Sequence, residues 1–143
     1  MIELLAPAGD LERAKVAFDY GADAVFIGGK RFSLRAKASN FDLDQITQAC
    51  AYAHALNKKL FVTVNMLPHE DDLEGLDEYL ISLDKCGVDA IIAASLSIAK
   101  RAIDLKLHYE VHLSTQLSIT NSKAMEFYKS IGIDRVVLAR ELD

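Results

Sequence analysis

One phrase, a glycine and an aspartate two residues apart followed by an apolar run, is written three times in this chain. Gly21-Ala22-Asp23-Ala24-Val25-Phe26-Ile27 recurs as Gly87-Val88-Asp89-Ala90-Ile91-Ile92-Ala93 and again as Gly132-Ile133-Asp134-Arg135-Val136-Val137-Leu138. Each copy follows a stretch with helical patterning. Glycine just past a helix end takes the left-handed conformation that closes the last turn without a Cβ clash. The short aspartate suits the turn, and the β-branched and aliphatic run that follows reads as a buried parallel strand. Three helix-to-strand joints of one design predict a βα repeat.

Periodicity fills in the rest. Strands are expected at Glu3–Ala6, Ala24–Gly28, Leu60–Asn65, Ala90–Ala94, Glu110–Thr115 and Val136–Arg140. Five amphipathic helices lie between them. The first starts at Asp10, a good N-cap, and puts Leu11, Ala14, Ala17 and Phe18 on one face. The second opens on a capping box, Asp42 with Gln45, and a hydrophobic staple, Phe41 with Ile46. Leu43, Ile46, Cys50 and Ala53 form its stripe, and Asn57 can end it. The third begins in the acidic run from Glu70 to Glu78, which complements a helix N-terminus, and carries Leu73, Leu76, Leu80 and Leu83. Ile98, Ala102 and Ile103 mark the fourth. The fifth is capped by Asn121 and buries Ala124, Phe127 or Tyr128, and Ile131.

An open doubly wound sheet and a (β/α)₈ barrel share this order of elements, and strand polarity separates them. A sheet covered by helices on both sides needs two apolar strand faces. Here Phe61, Thr63 and Asn65 lie opposite Val62 and Val64, and Glu110, His112, Ser114 and Gln116 lie opposite Val111, Leu113 and Thr115. Such strands have an apolar side for helices and a more polar side for a lumen. The fold class is therefore α/β, an incomplete TIM barrel of about six of eight strands with five helices. A full barrel takes about 250 residues, so residues 1–143 are expected to be the N-terminal portion of a single barrel domain, with the closing strands absent.

Composition narrows the function. No run of eighteen apolar residues and no basic-then-apolar leader occurs, so no membrane association is expected. A net charge of −5 argues against binding nucleic acid through overall charge. Cys50 and Cys86 fall in helical segments near apolar faces and are expected to be reduced and structural, in a cytoplasmic protein. No Cys-x-x-Cys or Cys/His cluster supports a metal site. His54 and His108 are assigned to helical segments as structural or exposed, and His69 to a loop with no ligand-spaced partner.

In a barrel the site forms where strands end and βα loops begin. Pro7-Ala8-Gly9, Gly28-Gly29-Lys30, Asn65, Ser95, Ser114-Thr115-Gln116 and Arg140-Glu141 are placed there. The loop after the second strand holds Lys30, Arg31, Arg35 and Lys37 in an otherwise acidic chain. Guanidinium groups present a planar fork of donors for carboxylate or phosphate, so this is either an anion clamp over the barrel mouth or a solvated loop. Arg140 is either a functional strand-end group or a rim ion pair with Glu141. His112 and Ser114, two apart on one strand, make no triad, because no acidic orienter or nucleophile elbow accompanies them. A polar lumen wall of Asn65, His112, Ser114 and Gln116 that hydrogen-bonds a ligand is the reading carried forward; no catalytic residue is assigned.

As a set, these residues resemble the collagenase-like peptidases, a family of unassigned proteolytic mechanism. Glu3-Leu4-Leu5-Ala6-Pro7-Ala8-Gly9 looks like its opening. The likeness continues through Gly21-Ala22-Asp23-Ala24-Val25-Phe26-Ile27-Gly28, Arg35, Asn40-Phe41 and Val64-Asn65 to His112-Leu113-Ser114-Thr115-Gln116, Asn121 and Val137-Leu138-Ala139-Arg140-Glu141. The resemblance implies a barrel domain and adds Asn40 to the candidate binding residues. It implies activities ranging from peptidase to hydroxylation of tRNA uridine, with prephenate as co-substrate, or of ribosomal RNA. It also implies that an iron–sulfur cluster belongs to a cysteine-rich segment of a full-length parent; Cys50 and Cys86 do not match that segment, so no cofactor is expected on this chain. A dicarboxylate such as prephenate suits the arginine-rich loop. The expected partners are that small molecule, RNA through the parent, and either a second copy or a complementary chain at the unclosed edges. A peptidase and a non-catalytic binding fragment are the alternative functions.

Overall fold

The computed structural model describes residues 4–28, 42–64, 73–116 and 122–139. Strands and helices alternate: β1 Leu5–Pro7, α1 Leu11–Asp19, β2 Ala24–Gly28, α2 Leu43–Ala55, β3 Lys59–Val64, α3 Leu73–Cys86, β4 Ala90–Ala93, α4 Leu96–Asp104, β5 Glu110–Gln116, α5 Ser122–Ser130 and β6 Arg135–Ala139. All neighbouring strands are parallel, and their order in the sheet is their order in the chain. A doubly wound sheet reverses its strand order at a switch point; this one never does.

The two faces of the sheet are covered differently. On one, Val25, Ile27, Leu60, Val62, Val64, Ile91, Ala93, Val111 and Leu113 pack with helical residues such as Phe18, Ile46, Cys50, Leu80, Leu83 and Ile98 in one continuous core. On the other, Ala24, Phe61, Ala90 and Ile92 cluster with Leu5, Phe26 and Val137, all from strands. Helices on one side and strand residues alone on the other describe a curled half-barrel with its lumen inward. Burial of each large aliphatic side chain on the helix side contributes about 1.5–3 kcal/mol.

The glycine–aspartate joints are built alike. Gly21, Gly87 and Gly132 have φ of 103°, 94° and 105°, as expected past a helix end. The aspartate then does more than turn the chain. Asp23 N–H donates to the Leu4 carbonyl at 2.9 Å while its Oδ2 accepts from Leu4 N–H at 2.8 Å. Asp89 brackets Leu60 the same way, at 3.0 and 2.8 Å, and Asp134 brackets Val111 at 2.9 and 2.8 Å. Each aspartate thereby clasps the start of its own strand to the strand before it: β1 to β2, β3 to β4, β5 to β6. The joints into β3 and β5 use Asn57 and Lys106 at positive φ instead.

Helix signals in the sequence correspond to observed caps. Asp10 accepts from Arg13 N–H at 2.8 Å, and Asp42 and Gln45 form the reciprocal capping box. Some expectations need correction. Leu43 is exposed at the first helical position, before the stripe begins, and Ala49 lines the buried face in its place. Of the two aromatic alternatives on α5 the structure bears out Tyr128, which packs inward, while Phe127 is half-exposed. His108 is past the end of α4, where its N–H and Nδ1 both meet the Asp84 carboxylate. β1 is shifted to Leu5–Pro7. Phe41 and Asn121 lie outside the described residues.

Candidate functional site

The lumen wall is built by alternation. Phe61 and Ile92 face inward beside Ala24 and Ala90, and Thr63 shares the face of Phe61. On β5 the same rule places Glu110, His112 and Ser114 on the inner side, since Val111 and Leu113 belong to the helix-side core. Lateral pairing runs Gly28 to Thr63, Thr63 to Ile92, Ile92 to His112 and His112 to Arg135. His112 therefore stands in a row whose other members are small, apolar or hydroxylic until Arg135.

His112 is fully buried, and it is the polar residue buried in this core among the described residues. Its ring meets Phe61 edge-on, with centroids 5.0 Å apart and planes at 79°. Nε2 lies 2.9 Å from Glu110 Oε1, and Nδ1 has no hydrogen-bond partner. Burial pushes the imidazole below its usual range, against the upward pull of the Glu110 hydrogen bond. Glu110 is itself held below the ordinary carboxylate range, first by the His112 hydrogen bond and then by the charges of Lys59 and Arg135. Lys59, Glu110 and Arg135 begin their strands, so this charge cluster lies at the N-terminal base of the lumen.

The other expected site residues do not share one place. Ser114 is half-buried two residues beyond His112, toward the C-terminal rim. Gln116 ends β5 in register with Ala139. Arg35, Asn40, Asn65, Arg140 and Glu141, and with them the basic loop, lie outside the described residues. Ser95, expected at the rim, is the N-cap of α4 and accepts from Ile98 N–H at 3.3 Å. Alternation marks Glu110 only as a lumen-facing residue; its spacing of two from His112 on one strand face is the signal in the sequence for their contact.

Both cysteines are free thiols. Cys50 sits in the helix-side core, and burial pushes its thiol up to about 12. Cys86 is half-buried, with its thiol against the Leu43 carbonyl. No group of three or more metal-ligating side chains occurs among the described residues.

A family model described as Peptidase family U32 matches residues 9–143. The chain belongs to peptidase family U32. tRNA hydroxylation protein P1 of Bacillus subtilis is 47% identical over 97% of this chain and 33% of its own length. The 23S rRNA 5-hydroxycytidine C2501 synthase of Escherichia coli is 39% identical over 99% of this chain and 21% of its own. A protein named Collagenase from Porphyromonas gingivalis is 34% identical over 99% and 34%. The chain thus spans about a third or less of these relatives. Among solved structures, oxaloacetate acetylhydrolase superposes with a TM-score of 0.69 at 16% identity, covering 96% of this chain and 53% of that one. At that identity the likeness speaks for the barrel fold alone. No described helix is long and apolar enough to cross a membrane.

Proposed function

We propose that this family U32 chain is the ligand-binding part of a barrel enzyme that hydroxylates a base in RNA, with a small dicarboxylate such as prephenate as co-substrate. The observation that carries the reading is the 47% identity to a tRNA hydroxylation protein across nearly the whole chain. The relative named for ribosomal hydroxycytidine supports RNA hydroxylation as the shared chemistry. The buried His112 and half-buried Ser114 supply neutral hydrogen-bonding groups on the lumen wall. Arg35 and Arg140 would hold the carboxylates, and Asn40, Asn65, Gln116 and Glu141 would complete the rim. Any iron–sulfur cluster would belong to a longer parent, and the reading places the protein in the cytoplasm.

The test is the modification state of tRNA and ribosomal RNA in a strain lacking the gene, with complementation by wild type, Arg35→Ala and Arg140→Ala. Loss of a hydroxylated base, restored by wild type alone, supports the reading. Charge-assisted hydrogen bonds contribute about 1.5–3 kcal/mol each, so either substitution should weaken dicarboxylate binding by about tenfold or more. RNA modification profiles left unchanged by the deletion, together with cleavage of gelatin that Ser114→Ala abolishes, would favour the peptidase suggested by the relative named Collagenase.

A further inference from the structure

We propose that Glu110 fixes His112 in the tautomer protonated at Nε2, leaving Nδ1 as a hydrogen-bond acceptor in the lumen wall that takes a donor group of the bound ligand, a hydroxyl or an N–H. The inference deepens the proposed function and rests on it for the identity of the ligand.

An ionised carboxylate can only accept hydrogen bonds, so the 2.9 Å contact with Glu110 requires the proton on Nε2. A second proton on Nδ1 would make a charged imidazolium with an unpaired N–H in a fully buried position, which is the costlier state. Phe61 packs against the ring edge-to-face, with centroids 5.0 Å apart. The two nitrogens of an imidazole point in divergent directions. With Nε2 committed to Glu110, Nδ1 is the ring nitrogen left for a ligand. An unpaired acceptor buried there selects for a donor: a ligand group with only lone pairs would repel it. Glu110 is then a positioning residue, acting from the base through the ring.

The experiment is nitrogen NMR of histidine-labelled protein at its natural length, with a prephenate titration; prephenate carries a ring hydroxyl as well as its carboxylates. The wild-type His112 signal, assigned by its loss in His112→Asn, is expected to show a protonated Nε2 and a bare Nδ1 at neutral pH. Glu110→Gln, whose amide oxygen still accepts, should keep that pattern, and Glu110→Ala should lose it. A wild-type ring protonated at Nδ1, or an unchanged pattern in Glu110→Ala, overturns the inference. In binding, His112→Asn places an amide oxygen near the Nδ1 position and should stay within about threefold of wild type, whereas His112→Phe should lose about tenfold, the worth of one hydrogen bond. Equal affinity in wild type and His112→Phe overturns donor recognition. If prephenate does not bind wild type, the proposed co-substrate fails, and the spectrum alone decides the inference.

Discussion

Asp89 and Leu60 are joined by two hydrogen bonds in opposite senses, Asp89 N–H to the Leu60 carbonyl at 3.0 Å and Leu60 N–H to the Asp89 carboxylate at 2.8 Å. The same carboxylate oxygen lies 2.8 Å from His54 Nε2. Removing it strands a backbone donor beside a buried strand residue. Asp89→Ala should therefore cost about 1.5–3 kcal/mol, the range for a hydrogen bond to a charged group. Urea denaturation checks this, and an unchanged midpoint would show the clasp to be dispensable. Asp23, whose side chain is more exposed than that of Asp89, should matter less.

The three clasp glycines should respond unequally to alanine. All have φ near +100°, so each substitution meets backbone strain of about 1–2 kcal/mol. At Gly132 a Cβ would also come within 3.1 Å of Ile103 Cγ2, whereas at Gly21 nothing lies within 4 Å. Gly132→Ala should lower the melting temperature more than Gly21→Ala. Equal shifts would mean that Ile103 yields freely.

Stability should decline in two stages as pH falls. His112 has a folded pKa below its ordinary 6.5, so below that value the unfolded chain binds more protons and the folded state loses ground until the folded pKa is passed. Asp23, Asp77 and Glu110 are also depressed, from ordinary values of 3.8, 3.8 and 4.5, by the Leu4 N–H, Arg101 and His112 respectively. Their contribution is full above those values and is lost as pH falls through the folded ones. The first stage should be missing from His112→Phe. Denaturation midpoints measured from pH 8 to pH 3 for both proteins will show it, and parallel curves would argue that His112 does not titrate on unfolding.

Among the described residues, β1 and β6 each have a neighbour on one side only. Leu4, Val16 and Tyr20 are exposed near the first edge, and Met125 and Phe127 on the helix beside the last. Unpaired strand edges with apolar flanks recruit partners. The 143-residue chain prepared alone should self-associate, or bind a complementary chain, in light scattering. A monodisperse, heat-stable monomer would contradict this.

The sheet was legible because strand faces alternate strictly. Val62 and Val64 against Phe61 and Thr63 were enough to tell a lumen from a helix-covered face, and the structure keeps that division. The second role of the aspartates was not legible. Asp23, Asp89 and Asp134 announce a turn by local spacing, but their carboxylate partners Leu4, Leu60 and Val111 are ordinary apolar residues in or just before a strand, about 20 to 30 positions earlier. Leu43 was misplaced because periodicity does not say on which turn a helix begins to be covered. Ser95 looked like a rim group since a strand end and a helix cap occupy the same place in a βα unit. At the site, alternation found the face of His112 and missed its orientation, which depends on the charge two residues away.

The alternation of joints also says how this architecture counts. Clasped pairs, β1 with β2, β3 with β4 and β5 with β6, are separated by seams that turn on Asn57 or Lys106, where among the described residues no aspartate brackets a residue of the preceding strand; side chains meet carboxylates there instead, Lys58 at Asp23 and His108 at Asp84. Its unit of construction is the strand pair, and a sheet assembled from pairs closes only on an even number. In a barrel of eight the fourth clasp would fall between the seventh and eighth strands. The last seam, where the eighth meets β1, would then be one of those without an aspartate bracket.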